Sequence, residues 1–245
     1  LHNFSVIHPD IPIAGFHVWH DYYPDPFSTE PLFDTVAIYY RASGIPVVYG
    51  NGIYEVSGAY SDTAYNRERY EDLIDDAALL RSPISVFTQP ILPFDGSTAR
   101  FVVTANYIAQ VPPTFNLRLH YLLTETNIPY HWEISDTYID TIYDVVRAKG
   151  YGIYGEEIPL DGLTDTISID MDPEWEVQNC IFIAYVQDSA SRTIFDVSTV
   201  GFNDFYDVSK TRLPAHCVQI SVFPNPFNAV CEIDVSGQIY QGSIE

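Results

Sequence analysis

The sequence predicts an α+β protein, in which a mixed segment of helices and strands precedes an antiparallel β-sandwich and a short C-terminal β tail. Residues 1–82 alternate between strand-like and helix-like patterns, whereas from residue 84 to about residue 202 the apolar side chains recur with a period of two. The chain has 245 residues, of which 47% are hydrophobic and 15% aromatic. This apolar content is enough for a folded chain of one large or two modest domains.

The chain begins with a predicted strand and a predicted helix. An apolar run at residues 13–19 lies between a proline and a polar, proline-rich stretch, which is typical of a short buried strand. Ser28 or Thr29 is suited to cap a helix, and apolar residues then recur at helical spacing as far as Tyr40. Gly44 ends this helix.

A β-hairpin and a second helix are predicted next. The Asn51-Gly52 step favours a tight turn, and the apolar stretches at residues 47–49 and 53–56 flank it as paired strands. A helix is predicted over residues 61–81, because apolar side chains recur on one of its faces and Pro83 closes it.

The remainder of the chain predicts the sandwich. Apolar and polar residues alternate over residues 101–108 and 117–123. Further strands are predicted at residues 84–88, 143–147, 164–169, 180–187 and 193–200. Seven or so short strands separated by turn residues indicate an antiparallel sandwich of immunoglobulin-like type. Its last hairpin turn is expected at residues 188–191.

These patterns divide the chain into four predicted regions. The mixed segment covers residues 1–82 and the sandwich covers residues 83–202. Residues 203–216 are polar and irregular and predict a linker, and residues 217–245 predict a short β tail.

The charge of the chain excludes several classes of partner. The 33 acidic residues against 11 basic ones give a net charge of -22, which repels nucleic acid and anionic lipid. The longest apolar runs reach about seven residues, short of the ~20 that a membrane-spanning helix needs. Only two of the basic residues, Lys149 and Lys210, are lysines. An acidic, lysine-poor composition favours a location outside the cytosol.

Cysteine and histidine spacing predicts neither a metal site nor a redox pair. Cys180, Cys217 and Cys231 match no zinc knuckle and no Cys-x-x-Cys motif, and they allow at most one disulfide. Cys180 lies in an apolar run and is predicted to be an inert core thiol. His17 and His20 point to opposite faces of a strand, so with Asp21 they predict ordinary strand-end residues rather than zinc ligands.

No catalytic residue and no cofactor is predicted. The chain contains no Gly-x-Ser-x-Gly elbow and no phosphate-binding loop. Four aspartates lack EF-hand spacing and are read as solvated loop residues, although calcium is an alternative: Asp161, Asp165, Asp170 and Asp172. Seven aromatic residues are read as packing groups, with sugar or peptide stacking as the alternative: Tyr22, Tyr23, Phe27, Tyr138, Tyr143, Tyr151 and Tyr154.

Three pieces of the chain resemble known families. Residues 44–48 (Gly-Ile-Pro-Val-Val) resemble the loop in which the thioredoxin superfamily places a cis-proline opposite its active site. Residues 1–202, with Val-Val-Arg at 145–147 and Ala-Tyr-Val-Gln-Asp at 184–188, resemble the twenty-eight-kilodalton outer-membrane protein family, in which a thioredoxin-like domain precedes a β-sandwich. The tail resembles the start of the type IX secretion C-terminal sorting domain at Pro224, Asn225, Pro226, Phe227 and Asn228.

The resemblance implies where ligands would bind. A cis Ile45-Pro46 bond would let Ile45 offer its backbone to an extended peptide, a contact of the β-augmentation type. A thioredoxin fold also carries a Cys-x-x-Cys pair at a helix N-terminus, and here that pair would lie upstream of Leu1. The tail would be handled by the type IX secretion machinery, which implies export to the cell surface or the medium.

The leading hypothesis is therefore a secreted or cell-surface bacterial protein with a binding or scaffold role, whose partner is an extended peptide or a protein. One alternative is a thiol-disulfide oxidoreductase whose cysteines lie upstream of residue 1. Another is a sugar- or calcium-binding β-sandwich.

Overall fold

The computed structural model describes residues 11–17, 25–28, 32–42, 46–58, 63–112, 114–134 and 137–202. Its regular elements in these ranges are two α-helices, twelve strands and one short 3-10 helix. These described residues belong to one compact unit. The described fold is rich in β-strands, its named sheets are antiparallel as predicted for the sandwich, and its helices are few. No helix of the described ranges is both long enough and apolar enough to cross a bilayer.

The first elements follow the predicted order of helix, hairpin and helix. Helix α1 covers Leu32–Tyr40 and helix α2 covers Thr63–Ala78. Between them, strands β1 (Val47–Gly50) and β2 (Tyr54–Ser57) form a two-stranded antiparallel sheet around Asn51-Gly52. Both residues of that step have positive φ angles, 45° and 76°, as a tight hairpin turn of this kind requires.

Ten strands follow. They are β3 (Ile84–Pro90), β4 (Thr98–Tyr107), β5 (Leu117–Glu125), β6 (Ile128–Ile134), β7 (Thr137–Ile142), β8 (Val145–Gly150), β9 (Glu156–Glu157), β10 (Leu163–Asp170), β11 (Cys180–Asp188) and β12 (Ile194–Gly201). One sheet has the order β10-β4-β3 and a larger one the order β12-β11-β5-β8, with β9 also paired to β5. Strands β6 and β7 form a separate hairpin, and a short 3-10 helix covers Val177–Asn179.

The main core lies between the two larger sheets. Phe101 of β4 stacks on Phe182 of β11 with ring centroids 3.9 Å apart, and Phe202 packs edge-on against Phe101. All three side chains are fully buried. Each fully buried phenylalanine contributes about 1.5–3 kcal/mol through the removal of apolar surface from water. Stacking between the sheets therefore fixes the sandwich that the period-two pattern predicts.

At the outer edge of β3, a side chain rather than another strand occupies a backbone N–H group. The carboxylate of Asp196 on β12 accepts a hydrogen bond from the backbone N–H of Val86 on β3, at 2.6 Å. Burial raises the pKa of Asp196. Because this contact occupies an outward backbone donor of β3, it blocks strand addition at that point.

The predicted strand at residues 13–19 is present only as single bridges in the described residues 11–17. Gly15 pairs in parallel with Val145 of β8, and the N–H of Val146 donates to the Gly15 carbonyl at 2.9 Å. Ala14 and Phe16 pack on the outer face of the larger sheet, against a second apolar cluster. This cluster consists of Leu122, Val146, Ile183 and Tyr185. The apolar run is thus explained by packing on the sandwich.

Candidate peptide-binding edge

The hydrogen-bonding directions in β1 follow from its pairing with β2. The N–H of Gly58 donates to the carbonyl of Pro46 at 2.8 Å, so these two residues face each other as a hydrogen-bonding pair. Such pairs alternate along an antiparallel ladder, and Val48 opposite Val56 is the next one. The intervening residues Val47 and Tyr49 therefore direct their N–H and C=O groups away from β2.

This outer edge of β1 carries no backbone hydrogen bond in the described part of the chain. The outer edge of β2 differs, because the guanidinium of Arg69 on α2 donates to the carbonyls of Ser57 and Gly58, at 2.7 and 3.2 Å. One edge of the hairpin is thus capped by a side chain, whereas the edge at Val47 and Tyr49 can accept another strand.

The hairpin is held between the two helices. An added Cβ on Gly50 would meet the side chain of Leu73 on α2 at 2.4 Å, so the helix lies directly against the strand there. On the other face the ring of Tyr49 lies 5.1 Å from that of Tyr40 on α1, and the Tyr49 hydroxyl donates to the Tyr40 carbonyl at 3.2 Å. Both sides of β1 are therefore supported, and its edge is held in place.

The turn between β11 and β12 ties this unit to the sandwich. Arg192, at a φ of 70°, donates from its guanidinium to the carbonyls of Tyr39 and Tyr40, at 3.3 and 3.1 Å. These carbonyls end α1, where a cation is favourable. The N–H of Ile194 donates to the carbonyl of Asn51 at 2.8 Å, and the Asn51 amide donates to the carbonyl of Ala77 at 3.1 Å.

Pro46 is exposed and immediately precedes β1, the strand that carries the open edge. Ile45 lies outside the described residues, so the cis form of the Ile45-Pro46 bond stays a prediction. The sorting motif at residues 224–228, together with Cys217 and Cys231, also lies outside them. Cys180 is a free thiol, and burial followed by the Glu125 carboxylate raises its pKa to about 12. As predicted, this thiol is buried in the core.

Three of the metal-ligand candidates form hydrogen bonds within the protein. His17 binds Asp25 through Nδ1 at 2.7 Å, while His20 and Asp21 lie outside the described residues. Asp165 accepts from the Tyr151 hydroxyl, and Asp170 accepts from Thr98 at 3.0 Å. Within the described ranges, no three His, Cys, Asp or Glu side chains converge in a way that holds a metal ion.

The aromatic candidates fall into two groups. Phe27 packs edge-on against Tyr130, and Arg147 lies over its ring at 5.2 Å. Tyr154, by contrast, is 71% exposed and only approaches Tyr39, with 6.5 Å between centroids. Packing thus accounts for Phe27, whereas Tyr154 lies at the surface. Tyr22 and Tyr23, and the side chain of Tyr138, are not described.

Two clusters of buried polar side chains have no signal in the sequence. Glu125, 3% exposed in its side chain, binds Arg147 through two contacts of 2.7 Å and also accepts from the N–H of Glu176 at 2.7 Å. His120, equally buried, lies 3.5 Å from Lys149. Both clusters join residues more than twenty positions apart, and the local sequence carries no signal of either.

Of the comparisons with known proteins, the one with solved structures finds matches. No protein-family model and no curated protein matches the chain. HBP35 of Porphyromonas gingivalis matches over 86% of this chain and 68% of its own, with a TM-score of 0.53 and 13% identity. A domain of the outer membrane lipoprotein Omp28 from the same organism matches over 49% of this chain and 88% of its own, with a TM-score of 0.37 and 18% identity.

More distant matches include beta-glucosidase 3B from Thermotoga neapolitana in complex with glucose, with 12% identity and a TM-score of 0.23 over 49% of this chain and 16% of that one. At these identities only fold is comparable. The chain therefore resembles HBP35 of P. gingivalis in fold over 86% of its own length.

Proposed function

We propose that this chain is a cell-surface binding module that captures an extended peptide segment along the outer edge of β1, next to Pro46. In this proposal the helices and hairpin form a thioredoxin-like unit without redox cysteines, and an immunoglobulin-like sandwich carries it. The observation that carries the proposal is the outward direction of the backbone groups of Val47 and Tyr49, which have no backbone partner in the described part of the chain.

Peptide addition at this edge has a clear physical basis. A bound strand would receive main-chain hydrogen bonds from Val47 and Tyr49, while pockets beside the strand would select its side chains. The edge needs no folding on binding, because Leu73 and Tyr40 already contact β1 and Arg192 binds the Tyr40 carbonyl. Such preorganisation lowers the entropic cost of binding.

The cell-surface location rests on the sequence. A net charge of -22 with two lysines suits a hydrated exterior surface, and residues 224–228 resemble the type IX sorting motif. Recognition of this tail by the secretion machinery would place the module outside the outer membrane. The fold shared with HBP35 is compatible with such a role, although a shared fold does not carry function by itself.

The test is selection from a library of linear peptides displayed on phage, with the full chain immobilised. We expect enriched peptides to bind in calorimetry, and we expect V47P to weaken them by about 10-fold, because proline removes the outward N–H of Val47. The β1–β2 ladder keeps its hydrogen bonds in this variant, since that N–H points away from β2.

The matched control is V47T, which keeps the β-branched shape and the N–H. Its affinity is expected to stay within about twofold of the wild-type value. Circular dichroism and melting temperature establish that both variants fold. Failure to enrich any peptide, or equal binding by V47P and V47T, would contradict the proposal.

A further inference from the structure

The outer face of the three-stranded sheet β10-β4-β3 carries uncharged side chains over most of its length. Side chains alternate along each strand, so those that point away from the buried core form rows across the sheet. The register puts Phe87 of β3 beside Thr104 of β4, and Thr104 beside Thr164 of β10. The rows on either side add five more uncharged side chains: Ser85 and Asn106 in one, and Gln89, Val102 and Thr166 in the other.

This uncharged face contrasts with the rest of the chain, whose 33 acidic and 11 basic residues give a net charge of -22. Charged side chains begin only in the rows beyond it, with Arg100 of β4 and Asp170 of β10. Asp165 of β10 points to the other side of the sheet, where it accepts from the Tyr151 hydroxyl. The uncharged rows span about 13 Å along the strands and about 10 Å across them. A charged ligand therefore finds no counter-charge on this surface.

Phe87 presents an apolar surface at the centre of this face. The residue is 58% exposed, and its backbone pairs with that of Thr104 in the ladder between β3 and β4. The strand therefore fixes the position of the ring before any ligand binds. A ligand that covers the ring with C–H groups would gain free energy by removing this apolar surface from water. One side of a sugar ring offers such a surface, while its hydroxyl groups point outward around the rim.

Uncharged hydrogen-bonding groups surround Phe87. The hydroxyls of Thr104 and Thr164 lie 3.2 Å apart, and each keeps a lone pair for a further partner. Within the described ranges, the side-chain amides of Gln89 and Asn106 form no hydrogen bond with the protein. Each amide therefore offers two donors and one acceptor oxygen to a ligand. Hydroxyls and amides around an exposed aromatic ring match the hydroxyl groups of a sugar.

We propose that this face binds a neutral oligosaccharide, with one sugar ring stacked on Phe87 and its hydroxyl groups bound by Gln89 and Asn106. Charge decides the class of ligand. A glycan that bears carboxylate or sulfate groups is repelled by the net charge of -22, and so is a second copy of the chain. A cationic segment finds no carboxylate in these rows. The face uses no residue of the β1 edge, so this binding is independent of peptide capture.

The experiment is affinity electrophoresis of the full chain in native gels that contain dextran, mannan or mixed-linkage β-glucan. We expect at least one of these neutral polysaccharides to retard the chain, and we expect alginate, which is anionic, to leave its mobility unchanged. Calorimetry with oligosaccharides of the retarding polymer then measures the affinity. This affinity should stay constant between about 0.05 and about 0.5 M salt, because no ion pair forms. Retardation by none of the neutral polymers, or equal retardation by alginate, would overturn the proposal.

Surface variants locate the binding site. F87A should weaken the affinity at least about 10-fold by removing the stacking surface, and Q89L about fivefold by removing an amide. Y154A is the matched control, because Tyr154 is 71% exposed and lies beside Tyr39, away from this face. Its affinity should stay within about twofold of the wild-type value.

Circular dichroism and melting temperature establish that the three variants fold. F87A or Q89L binding as tightly as Y154A would overturn the proposal. So would a dimer in analytical ultracentrifugation that F87A dissociates, since a second copy of the chain would then occupy the face.

Discussion

The side-chain amide of Gln187 donates to the hydroxyl of Tyr40 at 2.8 Å and to the carbonyl of Arg192 at 2.6 Å. Gln187 is fully buried on β11, and Tyr40 ends α1, 147 positions earlier in the chain. The contact joins the helix that supports β1 to the sandwich. The position of the candidate edge therefore depends on a polar side chain of a distant strand.

Replacement of Gln187 tests this dependence. Q187L should destabilise the fold by about 2 kcal/mol, because it leaves the Tyr40 hydroxyl and the Arg192 carbonyl without their buried donor. Urea denaturation measures the free energy of unfolding. Q89L is the control, since Gln89 is exposed on β3, and we expect a change below about 0.5 kcal/mol. Equal losses in the two variants would contradict the structural role of Gln187.

Gly52 is predicted to tolerate no side chain. Its φ is 76°, and an added Cβ would lie 2.1 Å from the Arg192 carbonyl oxygen. Gly58 has a nearly equal φ of 75° and nothing within 4 Å of such a Cβ. We expect G58A to cost about 1 kcal/mol from backbone strain alone and G52A at least about 3 kcal/mol from strain and clash. Thermal unfolding followed by circular dichroism compares the two, and similar melting temperatures would refute the close approach.

The buried pair of Arg147 and Glu125 makes a further prediction. R147M should destabilise the fold by about 3 kcal/mol, because it leaves the Glu125 carboxylate buried without its partner. Adding E125Q should restore much of the loss, since the amide oxygen still accepts from the N–H of Glu176. Denaturant titration of the single and double variants measures the recovery. A double variant no more stable than R147M would show that the charge is not the cause.

We expect His120 to lower the free energy of unfolding in mild acid. Burial holds its pKa at about 3 in the folded chain, against an ordinary value near 6.5. Between these values the unfolded chain binds a proton that the folded chain does not, so stability falls as the pH drops below 6.5. The expected loss from this group between pH 7 and pH 5 is about 2 kcal/mol.

The variant H120F should lack this pH-dependent loss of stability, because phenylalanine does not titrate and keeps the stacking on Tyr185. H131Q is the control, since the His131 side chain is 62% exposed. Free energies of unfolding measured at several pH values compare H120F with H131Q. A steep loss that persists in H120F would contradict the assignment.

Local patterns of the sequence account for most of the regular elements. The alternation along residues 101–107 and the Asn51-Gly52 step correspond to β4 and to the β1–β2 turn, because each pattern depends on neighbouring residues alone. The hairpin of β6 and β7 was not predicted. Its first strand contains Pro129 and a register shift between Pro129 and Trp132, so it lacks a clean period of two.

The polar contacts lie beyond such patterns. Lys149 reaches His120 because β8 pairs with β5 in a register that shifts between Leu123 and Thr124. A shift of one residue changes the face to which each side chain points, and nothing local in either strand specifies it. The same reasoning applies to Gln187 and Tyr40. The sequence could therefore suggest the β1 edge through Pro46, but not the contacts that hold it.

Amide hydrogen exchange, with and without a peptide selected from the library, tests the candidate edge most directly. In the free chain the amide of Val48 should be protected by β2, while those of Val47 and Tyr49 should exchange quickly. Saturating peptide should slow Val47 and Tyr49 by at least about 10-fold and leave Val48 nearly unchanged. Bound peptide that protects another strand, while Val47 and Tyr49 continue to exchange at their free rates, would contradict the account.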